Sequence, residues 1–315
     1  MTRPAEKTTE QITGQITDLP GELAGSTGGP ESPSAERGAR RRRGPRFVGA
    51  LAVLAAVVAY ALLVPALAPP SAHLPDLGSA RLAPGAEHWF GTDASGYDLF
   101  VRAAQGLRTS LLIAVLCAVS STLVGLVVGS VAATFGGRVD AVLMRLADAV
   151  NALPHLLLGI VVVALFRGSP TAIVLSIVVT HWPPVARLVR SEALTVRSME
   201  YVEAAYLFGA RRRDVLRIHV LPATLAQAAI AATLILPHAV WHESALSFLG
   251  LGLSPDQASL GTLLALSRGE VLLGSWWTLA FPALLLVVVT LAVSRLGDAL
   301  TGAFSPGTDP HEVIE

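Results

Sequence analysis

The sequence predicts an all-α membrane protein with six transmembrane helices, and three observations predict it. The 315 residues are 52% hydrophobic and only 15% charged, with a mean hydropathy of +0.59. That is too apolar for an ordinary soluble domain. Six apolar segments approach the roughly 20 residues that a helix needs to cross a bilayer: 47–68, 108–135, 152–168, 171–189, 221–247 and 276–296. Arginines concentrate in two places separated by an even number of these segments.

Residues 1–46 are rich in Gly, Ser, Pro, Thr and Glu and end in RGARRRRGPR. Such a stretch cannot bury a core, so a disordered tail is expected there. The arginine run admits two readings. One is a basic flank that holds the next helix with its N-terminus inside. The other is a twin-arginine signal cleaved after PALA at 65–68. The apolar run 47–68 is 22 residues long, more than a signal segment uses, which favours an uncleaved anchor.

The second span, 108–135, contains Gly125 and Gly129 in a GxxxG spacing that lets two helices approach closely. The third, 152–168, is short. Before it, Val139, Val142, Leu143, Leu146 and Val150 recur at helical spacing among Arg138, Asp140, Arg145 and Asp148. This pattern reads as an interfacial helix feeding the third span. Segment 248–275 reads as a loop containing only Arg268.

Orientation follows from arginine counting. Arg37, Arg40, Arg41, Arg42, Arg43 and Arg46 precede the first span, and Arg187, Arg190, Arg197, Arg211, Arg212, Arg213 and Arg217 lie between the fourth and fifth. Four crossings separate the clusters, so both face the cytoplasm, as do both termini. Segments 69–107 and 248–275 fall outside. The expected division is a tail at 1–46, a membrane domain at 47–306 and a second tail at 307–315.

Several chemistries are excluded. A net charge of zero provides no basic field for nucleic acid. Cys117 is the single cysteine, so no intrachain disulfide or CxxC site exists. Lys7, the sole lysine, does not stand in a phosphate-cradling Gly-Lys-Ser/Thr loop. ATP-driven work therefore requires another chain. No cofactor is expected.

Ionisable groups inside spans are costly and line cavities or find partners. His181, His238, His242 and Glu243 are the candidates for a pathway. The plainer reading makes them buried polar groups bonded across helices. His238 and His242 share a helix face four residues apart. Two imidazoles are too few for a protein-only metal site, so no metal site is assigned, although a bound chelate can supply further ligands. Ser244 with a histidine base would make an intramembrane hydrolase, but no nucleophile motif surrounds it.

The stretch EYVEAAYLFGARRRDVLRIHVLPA, Glu200–Ala223, has four arginines and three acids between two apolar spans. Val202, Ala205, Tyr206, Gly209, Val215 and Leu216 can form a packing face, Gly209 interrupts the helix, and Pro222 closes the segment at the next span. Its Glu203, Ala204, Ala205, Gly209, Leu221 and Pro222 resemble the EAA loop of bacterial ABC importer permeases. His219 stands where that family commonly has isoleucine, as in its peptide branch.

FGTDASGYDLFVRAAQGLRTSL, 90–111, resembles the external signature of the C-type subunit of dipeptide, oligopeptide and nickel permeases. Gly91, Thr92, Asp93, Gly96, Asp98, Arg102, Gly106 and Arg108 match, while Tyr97 replaces the usual arginine and Val101 the usual serine. HWPPVARLVRSEAL, HESALSFLGLGLSP and RLGDALTGAFSP agree as well, so the resemblance covers 47–306.

The resemblance implies a multi-pass subunit of a bacterial cytoplasmic (inner) membrane. It would import peptides or, as the alternative, nickel or a metal chelate. The EAA loop would be a coupling helix, with Arg211, Arg212 and Arg213 facing acids on an ATPase. The implied partners are a second permease subunit, two ATP-binding ATPase subunits, an extracytoplasmic substrate-binding protein and membrane lipid. The external signature would cap the outer mouth or meet the binding protein. Its charges also admit a purely structural role, pairing with one another.

Overall fold

The computed structural model describes residues 33–166 and 168–304. The two expected tails lie outside these residues, except that the first helix is assigned from Pro33. The compact body begins at Arg46. Among the described residues the chain is helical, with no strand.

Helix α1 is Pro33–Leu67, of which Phe47–Leu67 is apolar enough to cross a membrane. Two short 3-10 turns, Pro70–His73 and Leu77–Ser79, lead to α2, Leu99–Phe135. Asp98 starts α2 by accepting hydrogen bonds from the N–H groups of Phe100 and Val101. These bonds satisfy two of the donors that every helix start leaves free. Helix α2 begins nine residues before the apolar run at 108, because this cap, and not hydropathy, sets its start.

Helix α3, Gly137–Asn151, and helix α4, His155–Leu165, meet at a bend of 86°. The expected third span is therefore an 11-residue half-helix, about 16 Å long against the roughly 30 Å of a bilayer core. Five helices cross by length and composition, and the bent pair makes a sixth crossing when counted as one. The interfacial reading of 138–151 fits α3, which fastens its acids to the helix after α4. Helix α5 is Pro170–Arg197. Asp140 accepts two bonds from Arg190, at 2.5 and 2.6 Å, and Asp148 accepts one from Arg187 at 2.6 Å. Arg187 and Arg190, expected in a loop, thus belong to a span and are paired.

Helix α6 is Glu200–Leu207, and α7 is Arg212–Val215. One π-turn, Leu216–Val220, joins α7 to α8, Leu221–Phe248, so Pro222 does not close a segment. Proline lacks an N–H and its ring crowds the carbonyl four residues back. The widened turn relieves this crowding, and the Leu221 N–H reaches back to Leu216 O. Helix α9, Leu260–Leu272, lies inside what the sequence reads as a loop. Ser259 and Thr262 cap its start reciprocally. Helix α10, Trp277–Phe304, completes the chain.

Helices α2 and α5 form the most extensive pairing, with α8 packed against both. Gly125 and Gly129 make this possible. A Cβ on Gly125 would sit 2.5 Å from Val185 Cβ, and one on Gly129 would run into Ala186 O and stand 3.0 Å from Arg190 N. The backbones touch where any side chain would part them. We predict that Gly129→Leu forces α2 from α5 at a cost of about 1–3 kcal/mol. A thermal melt of the detergent-purified chain should show a lowered midpoint, and an unchanged midpoint would disprove the seam.

Candidate functional site

The sequence-predicted residues fall in three separate places: a loop at one end of the helices, a cap at the other, and a polar layer between.

The loop holds α6, α7 and the turn between them. Val202 and Val215 are fully buried against Ala133, Ala193, Val196 and Val220. Arg212 donates to Phe135 O at 2.6 Å, and Arg197 donates to Ala133 O. Both guanidinium groups thereby satisfy carbonyls at the free C-terminal end of α2. Arg212 is thus engaged within the chain, while Arg211, Arg213 and Glu203 are exposed and Ala204, Ala205 and Leu221 are half-buried.

Helix α6 ends on Gly209, whose φ is 88°. The Gly209 N–H bonds Tyr206 O, and the Ala210 N–H bonds Ala205 O. This is the paired closure that favours glycine in the left-handed region. A Cβ on Gly209 meets nothing within 4 Å, so its φ, and not close packing within this chain, calls for glycine. The turn carries Leu207 and Phe208 to the surface, 88% and 92% exposed. Sequence reading passed over this pair, and its signal was two large apolar residues beside a glycine and an arginine run.

The cap is built from 79–98. Thr92 accepts from the Leu82 N–H and donates to Ser79 O, and Trp277 Nε1 donates to Thr92 O at 3.1 Å. Arg102 pairs with Asp93 at 2.9 Å and lies over the Tyr97 ring, 4.0 Å from its centre. That stacking gives Tyr97 a role an arginine there would not fill. Asp98 pairs with His88 and not with an arginine. Arg108 is exposed and makes no ion pair among the described residues. Gly91 and Gly96 take φ of 73° and 77°. Arg81 clamps Glu270 through two bonds and ties the cap to α9.

The polar layer divides in two. Glu243 is fully buried. Its carboxyl accepts from Ser110 at 2.7 Å and Ser247 at 3.0 Å, with Ser244 at 3.4 Å. Ser110 in turn accepts from the Leu260 N–H, and Ser247 from the Leu253 N–H. One carboxyl therefore joins α2, α8 and the start of α9. Gly106 and Gly261 permit this closeness, as a Cβ on either would meet backbone at 3.0 Å or less. Ser244 is turned to Glu243, and no histidine bonds it among the described residues.

The histidines gather apart from this hub. The His181 ring lies 5.0 Å from that of His242, 6.4 Å from His238 and 5.5 Å from His155. His155, at the first position of α4, went unnoticed in the sequence because only the α4–α5 turn brings it here. Among the described residues no three His, Cys, Asp or Glu side chains are placed to hold a metal ion.

Five long apolar helices, a half-helix and a buried polar layer mark a polytopic membrane protein. Residues 125–309 match the family described as the binding-protein-dependent transport system inner membrane component. The chain belongs to that family. It is 36% identical over 267 residues to the dipeptide transport system permease protein DppC of Bacillus subtilis, covering 85% of this chain and 83% of that one. It is 35% identical over 272 residues to the oligopeptide transport system permease protein OppC of Haemophilus influenzae, covering 85% and 87%. A chain of the MetNI methionine ABC transporter in inward-facing conformations shares the fold, with a TM-score of 0.52 and 20% identity over 65% of this chain and 95% of that one. The chain is a multi-pass permease component and not an enzyme, which sets the hydrolase aside.

Glu243 should be structural. Glu243→Leu leaves Ser110 and Ser247 without their acceptor, at about 1–3 kcal/mol for each buried group left unpaired. Glu243→Gln keeps an acceptor oxygen and should lose far less. Melting midpoints of the two purified variants check this ranking, and equal midpoints would refute it.

Proposed function

We propose that the chain is one half of the translocation pathway of a bacterial ABC importer for di- or oligopeptides. Its similarity to peptide permeases over most of its length carries this reading. A distinct second permease supplies the other half, two ATPase subunits power it, and an extracytoplasmic binding protein delivers the peptide to the capped side. The membrane is the cytoplasmic one, with both termini inside.

The α6–α7 loop is the contact with the ATPase. Leu207 and Phe208 form an apolar knob, and Arg211 and Arg213 flank it with positive charge. Large side chains seated in a partner's pocket carry most of an interface's affinity. The loop can also transmit force. Its inner face is packed on α2 and α5, Arg212 holds it to the end of α2, and the π-turn continues it into α8, so displacing the knob displaces the helices.

Two experiments test this reading. Leu207→Asp with Phe208→Asp should leave membrane abundance near normal, since both side chains are exposed, yet reduce ATPase co-purification and labelled-peptide uptake at least about tenfold. Retained co-purification would remove the loop from the coupling role. The second experiment concerns orientation. Cys117 is fully buried, so native background is low. A cysteine replacing Leu273, 66% exposed, should react with a membrane-impermeant maleimide on intact cells, whereas one replacing Phe208 should react only after permeabilisation. The opposite pattern would invert the chain in the membrane.

A further inference from the structure

Helix α4 is a half-helix that begins inside the membrane. It runs alongside α5, with Gly168 bridged to Leu253 near its far end and His155 opposite His181 at its start. His181 lies about 16 Å from the start of α5 at Pro170, and His238 about 15 Å from the end of α8 at Phe248, at 1.5 Å per residue. Against a hydrocarbon core of about 30 Å, both depths fall near the midplane. The first residues of α4 therefore stand at mid-membrane.

No side chain caps that helix start. The Leu158 N–H bonds Pro154 O at 3.1 Å, which leaves the N–H groups of His155, Leu156 and Leu157 without an acceptor inside the helix. A free helix start carries partial positive charge and uncommitted donors, a ready place for an anion. In broken transporter helices, such ends at the midplane face anionic groups of the substrate.

The second observation is independent of the helix end. His242 is only 9% exposed, and its ring makes no hydrogen bond among the described residues. It meets the His181 ring edge-on at 5.0 Å, and His181 meets His155, the first residue of α4. A polar ring so little exposed, with no bond to its own chain, has capacity left for a ligand. His181 Nδ1 bonds Ile177 O and His238 Nδ1 bonds Leu234 O, both at 3.0 Å, so Nε2 is the free nitrogen of each ring. His238 is exposed on the surface of this single chain at a depth where lipid would not tolerate it, so that surface faces a water-filled path or another chain.

We propose that the start of α4 and the imidazoles of His155, His181, His238 and His242 form a mid-membrane station for the C-terminal carboxylate of the peptide in transit. The carboxylate identity rests on the peptide reading above. The helix end disfavours a cation, and no three donors are placed for a metal ion among the described residues. One proton shared between a ring Nε2 and the carboxylate makes the pair neutral or ion-paired, and either form is tolerable at this depth. The four histidines are the titratable groups facing the station from α4, α5 and α8. Glu243, next to His242 in sequence, faces Ser110 and Ser247 instead.

The test uses the whole importer, with its partner permease, ATPases and binding protein, in liposomes with 15N-labelled histidine. Millimolar acetate and trialanine should each move the imidazole nitrogen signals, and trialanine amide should not. His155→Ala, at a half-buried position, and His181→Asn with His242→Asn should each lower trialanine uptake at least tenfold at equal abundance and equal ATPase co-purification. If the double variant fails to reach the membrane, His155→Ala decides. Imidazole signals unmoved by both acetate and trialanine, or uptake within twofold of wild type in the variants, would overturn the station. Signals moved by acetate in an importer that takes up no trialanine would keep a carboxylate site and remove the peptide reading instead.

Discussion

The backbone contact between α2 and α5 is the constraint on which the rest of the structure depends. Gly125 and Gly129 present no side chain, so Val185, Ala186 and Arg190 come to rest on the α2 backbone. In a bilayer the tails are as apolar as any leucine, so burial alone does not drive helices together. Close packing and polar contacts must do it. The seam supplies the first, and it fixes where both ends of α2 lie relative to α5 and α8. At one end Ser110 of α2 reaches Glu243. At the other, the free carbonyls of Ala133 and Phe135 are placed where Arg197 and Arg212 can take them.

The helices were legible in the sequence wherever a span is a continuous apolar run, because bilayer thickness sets its length directly. They were misread where a long-range contact decides. Helix α4 is half a span because it breaks at Ala152–Pro154, and the α3 acids before the break pair with Arg187 and Arg190. Hydropathy sums residues and cannot register that Asp140 and Arg190 neutralise one another across fifty positions. Helix α9 was hidden for a similar reason. Its starting cap packs on Ser110 and Ser244, residues far away in the chain. The α6–α7 loop was legible as a charged segment with a glycine break, and the pattern Glu203-Ala204-Ala205 to Gly209 marked it. Its outward knob was not, since a window that seeks apolar residues for a core has no reason to place Leu207 and Phe208 outside.

Stiffness is a requirement for a loop that passes motion from one chain to another. A loop attached only through its two chain ends would absorb a push in its own φ and ψ angles. Here the loop has two kinds of attachment besides its ends. Val202 and Val215 are buried to completion, and Arg212 bonds a carbonyl of a helix that is not adjacent in sequence. The π-turn at Leu216–Val220 then continues α7 into α8 without a flexible joint, in spite of Pro222. The knob is thereby tied to α2, α5 and α8 together.

The polar residues inside the membrane separate by whether their bonding capacity is met. Glu243 is the most costly group to bury, yet its carboxyl accepts from hydroxyls on both sides, and those of Ser110 and Ser247 each have a second use. A group so fully committed has nothing left for a ligand, and replacing it should be felt in stability. The histidines are the reverse. Two spend one nitrogen on their own helix and keep the other free, and His242 spends neither among the described residues. They gather about His181, opposite the start of α4. Uncommitted capacity in a place where it is expensive to maintain is a physical ground for assigning function, and it separates these rings from a carboxyl one residue away in the chain.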